Sequence, residues 1–256
     1  MGRLTFNADR LIYSAAKRYN IVNTTQHIFS SMKNIADYVV ENEKESGSFH
    51  RVIFVLRHSI RPRNDWSNNV KLTPLGVNAA RLAGQSLQVL PGNLGETDYY
   101  STKVMRTDQT AFYMAEGRGI EQLHTLDDVK SIYTIATNLN YIKNTEAYNN
   151  YIDLKGYNAT WYEYMYDGIG TGTAFNDIAT VSNEFINSVL AGTTTKNNIV
   201  ISHDQNVMPL VVYSLNKLID FRINECWLNY LSGIVILEKD GIKNIIPVTG
   251  LPSGYN

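Results

Sequence analysis

Short apolar runs alternate along the chain with segments whose apolar residues recur at helical spacing. Val52–Leu56 contains five apolar residues without a polar break, which predicts a strand buried on both faces of a parallel sheet. Further strands are predicted at 98–102 and 198–202, and helices at 8–46 (two helices), 104–116, 173–190 and 207–219. This alternation predicts an α/β fold: a three-layer sandwich with a mostly parallel central sheet and helices on both faces.

Local signals mark where several of these elements begin and end. Thr73-Pro74 predicts a helix start, because Thr caps the first turn and proline lacks only an N–H that would be unpaired there. Its predicted apolar face includes Leu75 and Leu82. Gly117 is expected to end the helix at 104–116. Asp240-Gly241 lies between apolar runs at 233–238 and 242–248, which predicts a β-hairpin.

The segment at about 119–175 lacks the periodicity of another strand–helix unit. Aromatic and polar residues alternate irregularly there, and glycines at 168, 170 and 172 follow. We interpret it as a cap inserted within a single domain that spans 1–256. The stretch 141–166 is rich in tyrosine and poor in basic residues.

Composition excludes several classes of function. The 23 Lys and Arg residues nearly balance the 24 Asp and Glu residues, so no global basic field predicts nucleic acid as a partner. No stretch is long enough for a membrane span. The single cysteine, Cys226, excludes an internal disulfide and is expected to be a buried, inert thiol. Scattered histidines and unclustered carboxylates predict no metal site and no cofactor.

The N-terminal residues do not decide the compartment. Charged residues interrupt the first thirty positions, which therefore lack the uncharged core of a secretory signal. As written, the sequence predicts a cytoplasmic protein, or a periplasmic or secreted one if a signal was removed.

Candidate chemistry follows three predicted strands. Arg57, His58 and Arg61 follow the first, Arg106 follows the second, and His203-Asp204 follows the third. In α/β sheets ligands bind beyond the carboxyl ends of the strands, so these side chains are expected to meet. Guanidinium forks suit a phosphate dianion, and a neutral imidazole can attack phosphorus.

Each fragment alone has a simpler explanation. Arg106 could be an exposed helix arginine, and His203-Asp204 could simply begin a helix with an acidic residue in its first turn. The other histidines, His27, His50 and His124, are interpreted as structural or exposed. Asp204 could protonate a leaving group provided that its pKa is raised.

Three blocks of sequence carry a family resemblance over about residues 51–210. The block 56–61 (LRHSIR) resembles the RHGxR signature of the acid-phosphatase branch of the histidine phosphatase superfamily. The helix start at 72–76 (LTPLG) is similar to its LTxxG motif, the block 101–111 to its S-T-xxx-R-T-x-Q-T-A motif, and His203-Asp204 to its HD pair. The resemblance implies a phosphoglycerate-mutase-like fold.

The resemblance also implies a role for each matching residue. His58 would be the nucleophile that forms a phosphohistidine, and Asp204 the proton donor. The phosphate ligands would be Arg57, Arg61, Arg106 and His203. Two departures concern the first block, where Ser59 replaces the usual glycine and Pro62 precedes the usual proline position. The lack of disulfide cysteines suits a bacterial member.

The expected function is therefore hydrolysis of a small-molecule phosphate monoester, with inorganic phosphate as product. Because the stretch 141–166 is rich in tyrosine and poor in basic residues, we expect a substrate with one or two phosphates, such as a sugar phosphate, stacked on a tyrosine or on Trp161. Two alternatives stay open. A phosphotransferase or mutase of the same superfamily would rely on a glutamate such as Glu163 or Glu184 as acid. A non-catalytic protein would retain the phosphate pocket without turnover.

Overall fold

A computed structural model describes residues 31–47, 49–91, 96–119, 123–136, 139–217, 220–222 and 227–251. The described strands form one six-stranded sheet in the order β3-β2-β4-β1-β5-β6. The strands are β1 (Arg51–Arg57), β2 (Thr97–Ser101), β3 (Lys130–Ser131), β4 (Asn197–Ser202), β5 (Gly233–Lys239) and β6 (Ile242–Val248). Strands β1 to β4 are mutually parallel, whereas β5 runs antiparallel to both β1 and β6.

Helices cover both faces of this sheet. They are α1 (Met32–Ser46), α2 (Pro74–Ser86), α3 (Met105–Arg118), α4 (Thr145–Lys155), α5 (Tyr157–Tyr162), α6 (Ile178–Gly192) and α7 (Asp204–Ser214). A π-helical segment, Glu163–Asp167, continues α5.

Alternate residues of β1 belong to two separate hydrophobic cores. Ile53 and Val55 pack with apolar residues of α6 and α7, whereas Phe54 packs with those of α1, α2 and α3. Because successive side chains of a strand point to opposite faces, one buried strand serves both cores. The predicted three-layer α/β fold is confirmed.

The predicted start of α2 is confirmed, but its predicted apolar face is partly wrong. Thr73 caps the helix by accepting a hydrogen bond from the Gly76 backbone N–H at 3.0 Å. Leu75 and Leu82 are about half exposed. The buried side of α2 consists instead of small residues, namely Gly76, Ala79, Ala80, Ala83 and Gly84. Small side chains allow the helix backbone to approach its neighbours closely.

Three helix ends differ from the sequence prediction. Helix α3 continues through Gly117 to Arg118 and ends at Gly119, whose φ of 74° is a left-handed conformation that glycine adopts readily. Helix α6 begins at Ile178, later than predicted, because Asp177 caps it. Helix α7 begins earlier, at Asp204, and ends at Ser214.

Two other predicted elements are confirmed, and three predictions concern residues that the structure does not describe. The hairpin at Asp240-Gly241 is confirmed by the pairing of β5 with β6. Helix α1 is capped by Ser31, so the predicted second helix is present from Met32 onward. The predicted first helix, His27 and Cys226 lie outside the described residues.

The aromatic residues of 141–166 contribute to a hydrophobic core. Trp161 is 1% exposed and packs against Tyr148, Tyr164 and Phe175. The prediction that Trp161 stacks on a substrate is therefore wrong, because its ring is buried among other aromatic rings.

Within the described ranges, no helix is both long and apolar enough to cross a bilayer. The same residues contain no group of three or more His, Cys, Asp or Glu side chains arranged to hold a metal ion.

Candidate active site

The sheet brings the carboxyl ends of β1, β2 and β4 to one edge. Arg57 is paired in register with Ser202, and Ser101 with Ile201. The residues that follow these positions therefore emerge side by side. All six candidate residues belong to this edge: Arg57, His58, Arg61, Arg106, His203 and Asp204.

His58 is buried and held in one tautomer. Its backbone N–H donates to the carbonyl oxygen of Ser202 at 2.9 Å, which fixes the chain beside β4. Its Nδ1 lies 2.8 Å from the carbonyl oxygen of Ser59. Since a carbonyl oxygen can only accept, Nδ1 carries the proton, and Nε2 of the neutral ring keeps its lone pair.

The electrostatic surroundings keep His58 neutral. Burial lowers the pKa of His58 well below its ordinary value, and the positive charge of Arg57 and the neighbouring His203 ring lower it further. The two imidazole rings lie 5.5 Å apart between centroids. A neutral imidazole with an available Nε2 is the form that can act as a nucleophile.

Ser59 anchors the residue that orients His58. Its hydroxyl donates to the carbonyl oxygen of Gly76 at 2.7 Å, and its backbone N–H donates to Thr110 Oγ1 at 3.0 Å. A Cβ on Gly76 would lie 2.1 Å from the carbonyl oxygen of Ile60, so only glycine allows this approach of α2. The Ser59 hydroxyl is therefore bonded to α2.

Arg57 connects the strand end to Asp204. Its Nη2 lies 3.2 Å from Asp204 Oδ2, and its Nη1 donates to the carbonyl oxygen of Leu228. The guanidinium carbon lies 4.1 Å from the centre of the Tyr230 ring. These contacts hold Arg57 in a buried position between the two candidate catalytic residues.

Arg61 and Arg106 bind the same loop. Arg61 Nη1 donates to the carbonyl oxygens of Pro62 (2.7 Å) and Asp65 (2.9 Å), and its guanidinium lies 4.0 Å from the centre of the Trp66 ring. Arg106 Nη1 donates to the carbonyl oxygen of Ser67 at 3.1 Å. Burial lowers the pKa of Arg106, and the charge of Arg61 lowers it further, so the two cations are close enough to repel.

Arg106 carries a buried donor, Nε, that is unsatisfied among the described residues. An unpaired buried donor on a cation is costly, and the mutual repulsion of Arg106 and Arg61 adds to that cost. A bound anion would relieve both.

His203 is neutral and already bonded through both ring nitrogens. Its Nδ1 lies 3.2 Å from Arg106 Nη2 and must accept, because a guanidinium can only donate. Its Nε2 then carries the proton and donates to Thr102 Oγ1 at 2.9 Å. Burial lowers the pKa of His203 to about 4, with Arg106 adding to the effect. His203 can contact a phosphate only by exchanging one of these bonds.

Asp204 begins α7 and is held as a carboxylate. Its Oδ2 accepts from Trp227 Nε1 at 2.8 Å, and its Oδ1 accepts from the Gln205 backbone N–H at 2.9 Å. Burial raises its pKa, but the charge of Arg57 and the hydrogen bond from Trp227 outweigh burial, so the pKa lies below its ordinary value. The prediction that the pKa of Asp204 is raised is therefore wrong in this structure.

Sequence reasoning missed three aromatic residues at this edge, Trp66, Trp227 and Tyr230, whereas a fourth, Tyr157, belongs to the tyrosine-rich stretch 141–166 that was expected to stack on the substrate. Trp227 packs against Tyr157, with ring centroids 5.3 Å apart, and Gln205 Nε2 donates to the Tyr157 hydroxyl at 2.9 Å. No sequence pattern identified Trp227 and Tyr230, because their position follows from the pairing of β5 with β1. Leu56 pairs with Gly233, so residues just before 233 must lie beside Arg57 and His58.

The remaining described histidines lie elsewhere. His50 is exposed, with Nε2 3.8 Å from Asp240 Oδ1. His124 is also exposed. Glu163 pairs with Lys155, and Glu184 is exposed on α6.

Two solved structures share this fold at low sequence identity. YhfR of Bacillus stearothermophilus matches with a TM-score of 0.52 and 13% identity, over 79% of this chain and 98% of its own. A phosphoserine phosphatase from Entamoeba histolytica in complex with 3-phosphoglyceric acid matches with a TM-score of 0.50 and 13% identity, over 80% and 98%. The fold is thus of the phosphoglycerate-mutase-like type found in histidine phosphatases. No protein-family model and no curated protein sequence matches the chain.

Proposed function

We propose that the protein is a phosphatase of the histidine phosphatase superfamily, of its acid-phosphatase branch. It hydrolyses small phosphate monoesters through a covalent phosphohistidine on His58, with Asp204 as proton donor. One observation carries the proposal: a neutral imidazole, fixed through Nδ1, stands at a strand edge with three arginines and a carboxyl group. The fold shared with a phosphatase is compatible with it.

In the first step, the Nε2 lone pair of His58 attacks phosphorus and the P–O bond to the leaving group breaks. The proton of Asp204 passes to the leaving oxygen, which departs as an alcohol. The new P–N bond leaves the ring positively charged, and the carbonyl oxygen of Ser59 stabilises that charge through Nδ1–H.

In the second step, a water molecule attacks phosphorus while the Asp204 carboxylate removes its proton. The P–N bond breaks, inorganic phosphate forms, and Nε2 of His58 regains its lone pair. Asp204 ends this step protonated, as it was before the first. No metal ion or cofactor enters either step.

The phosphate oxygens would be held by Arg57, Arg61, Arg106 and His203. Guanidinium groups donate paired hydrogen bonds to phosphate, and Arg106 Nε offers a buried donor that has no partner among the described residues. His203 would exchange its bond to Thr102 for one to a phosphate oxygen. Stabilising the transferring oxygens in this way is the main source of catalysis in phosphoryl transfer.

Substrate binding itself would prepare Asp204 as an acid. In the unliganded site Arg57 and Trp227 stabilise the carboxylate. A phosphate dianion beside it adds a like charge and competes for Arg57, and both effects raise the pKa of Asp204. The acid form is thus favoured in the complex rather than in the free protein.

The decisive experiment replaces His58 by Ala and measures release from an activated aryl phosphate. We expect loss of turnover, while His124→Ala, an exposed histidine on another surface, keeps full activity. Acid quenching of the unaltered protein with labelled substrate should trap an acid-labile phosphoenzyme that the His58 variant lacks. Retained turnover in that variant would end the proposal.

The role of Asp204 is tested with a series of leaving groups. Asp204→Asn should slow esters of alcohols of high pKa far more than activated aryl esters, because only the former need a proton in the transition state. Equal slowing across the series would contradict its role as acid.

The two alternatives predict other results. A mutase would convert a phosphoglycerate to its isomer and would depend on Glu163 or Glu184, although one pairs with Lys155 and the other is exposed. A non-catalytic protein would bind inorganic phosphate tightly without turnover at any pH. A substrate screen by phosphate release separates both from a hydrolase, and a preference for phytate would refute a substrate with one or two phosphates.

A further inference from the structure

Trp66 is an exposed aromatic side chain that contacts a proposed phosphate-binding residue. Its side chain is 76% exposed, although large apolar side chains are usually buried. One face of its indole covers the Arg61 guanidinium, with the guanidinium carbon 4.0 Å from the ring centre. The other large exposed apolar side chains described, such as Leu154 and Tyr133, have no such neighbour among the site residues.

The loop that carries Trp66 is anchored by the same two arginines that would bind phosphate. Arg61 Nη1 donates to the carbonyl oxygens of Pro62, Arg63 and Asp65. The Asp65 carboxylate accepts from the Ser67 backbone N–H at 2.9 Å.

The far end of the loop is fixed as well. Arg106 donates to the carbonyl oxygen of Ser67, and the backbone N–H of Met105 donates to that of Asn68 at 3.1 Å. The loop therefore holds the Trp66 indole beside the proposed phosphate-binding site, with its second face exposed to solvent.

We propose that Trp66 is a specificity-determining residue that stacks on an aromatic ring in the leaving group of the substrate. This inference rests on the phosphatase proposed above. A flat indole backed by a cation offers its open face to another flat ring, in the offset or edge-on arrangement that aromatic pairs prefer. The preferred substrates are monoesters that carry an aromatic ring near the ester oxygen.

Charge on the same loop restricts the substrate further. Backbone and side-chain hydrogen bonds from Ser67 lower the pKa of Asp65, so its carboxylate is ionised next to Trp66. A second phosphate or a carboxylate on the leaving group would meet that negative charge. The loop therefore favours an aromatic leaving group over one that carries negative charge near Asp65.

The test compares turnover of phenyl phosphate, glycerol 2-phosphate and glucose 6-phosphate by the unaltered protein, Trp66→Ala and Trp66→Phe. For Trp66→Ala we expect kcat/KM for phenyl phosphate to fall about tenfold, mainly through KM, with the other two esters changed less than about twofold. Trp66→Phe should recover most of the loss, because a ring is restored. Tyr133→Ala, an exposed aromatic residue elsewhere, should change none of the three.

Equal losses for all three esters would overturn the inference, since they would assign Trp66 only to the shape of the loop. A loss confined to glucose 6-phosphate would overturn it in favour of a sugar. Binding keeps this test separate from catalysis. In the His58→Ala variant, phenylphosphonate should bind more tightly than methylphosphonate, and adding Trp66→Ala should reduce that preference. This result is expected even if the phosphatase proposal fails. A preference that Trp66→Ala leaves unchanged counts against stacking.

Discussion

Replacing Trp227 by Phe removes one hydrogen bond from the proposed proton donor and little else. The indole Nε1–H donates to Asp204 Oδ2 at 2.8 Å, and the ring packs against Tyr157 and Tyr162. Phenylalanine preserves most of that packing but cannot donate. Arg57 Nη2, 3.2 Å from the same oxygen, remains.

The magnitude follows from the charge on the acceptor. A hydrogen bond to a charged group contributes about 1.5–3 kcal/mol, and one pKa unit corresponds to about 1.4 kcal/mol. Water can replace part of the lost bond, because the Asp204 side chain is 21% exposed. We therefore expect the pKa of Asp204 to rise by about one unit, the lower end of that range.

The direction of the activity change follows from the proposed role of Asp204 as an acid. In the proposed mechanism, protonated Asp204 is needed for leaving-group departure, so a higher pKa extends activity to higher pH. The basic limb of kcat/KM against pH, measured with an alkyl phosphate, should move up by about one unit. Other titratable groups that interact with Asp204 include Arg57, Arg106, His58, His203, Tyr148 and Tyr157.

Trp161→Phe is the matched control, because that indole donates to the Tyr148 hydroxyl and does not touch Asp204. Its pH profile should stay in place even if its stability falls. An unmoved or lowered basic limb in Trp227→Phe would refute the electrostatic reasoning.

Three further changes test the site and its support. Arg106→Lys keeps the charge but loses the paired donors of the guanidinium group, so the Kd for inorganic phosphate, measured by calorimetry, should rise about tenfold or more. An unchanged Kd would show that Arg106 does not bind phosphate. Gly76→Ala forces a Cβ to within 2.1 Å of the Ile60 carbonyl oxygen, and denaturant titration should show a loss of about 2–3 kcal/mol. Acidification should destabilise the protein. The pKa of His203 is lowered from 6.5 in the unfolded chain to about 4 in the folded protein, so between these pH values the unfolded chain binds the additional proton. The free energy of unfolding should therefore fall by about 3 kcal/mol as the pH falls from 6.5 to 4. The depressed pKa values of His58 and Asp204 act in the same direction, so His203→Gln should remove the His203 share of the slope between pH 6.5 and 4 and leave the remainder.

The arrangement of residues at the sheet edge could be predicted from the sequence because each element that forms it has its own local sequence pattern. A continuous apolar run, a cap at Thr73 and a His-Asp pair before a helix each report their own element, and parallel strands necessarily end together. The convergence of Arg57, His58 and His203 follows from that rule alone.

The surroundings of these residues depend on pairing that no local pattern reports. Trp227 and Tyr230 reach the site because β5 runs antiparallel to β1, and the apolar run of β5 is equally compatible with a parallel strand. The pKa of Asp204 was expected in the wrong direction for the same reason, since Trp227 and Arg57 together stabilise its charge. Trp161 was misassigned because burial of a tryptophan depends on which rings surround it.

If His58 forms the proposed phosphohistidine, the bond between its Nδ1 and the Ser59 carbonyl oxygen also determines which isomer forms. With Nδ1 committed as a donor, only the far nitrogen of the ring can accept phosphorus, so the trapped protein would carry the 3-phospho isomer and never the 1-phospho isomer. Isomer-selective antibodies distinguish the two on a denatured blot. Because the P–N bond survives unfolding, the blot would report the orientation that the Ser59 carbonyl imposed on the folded protein.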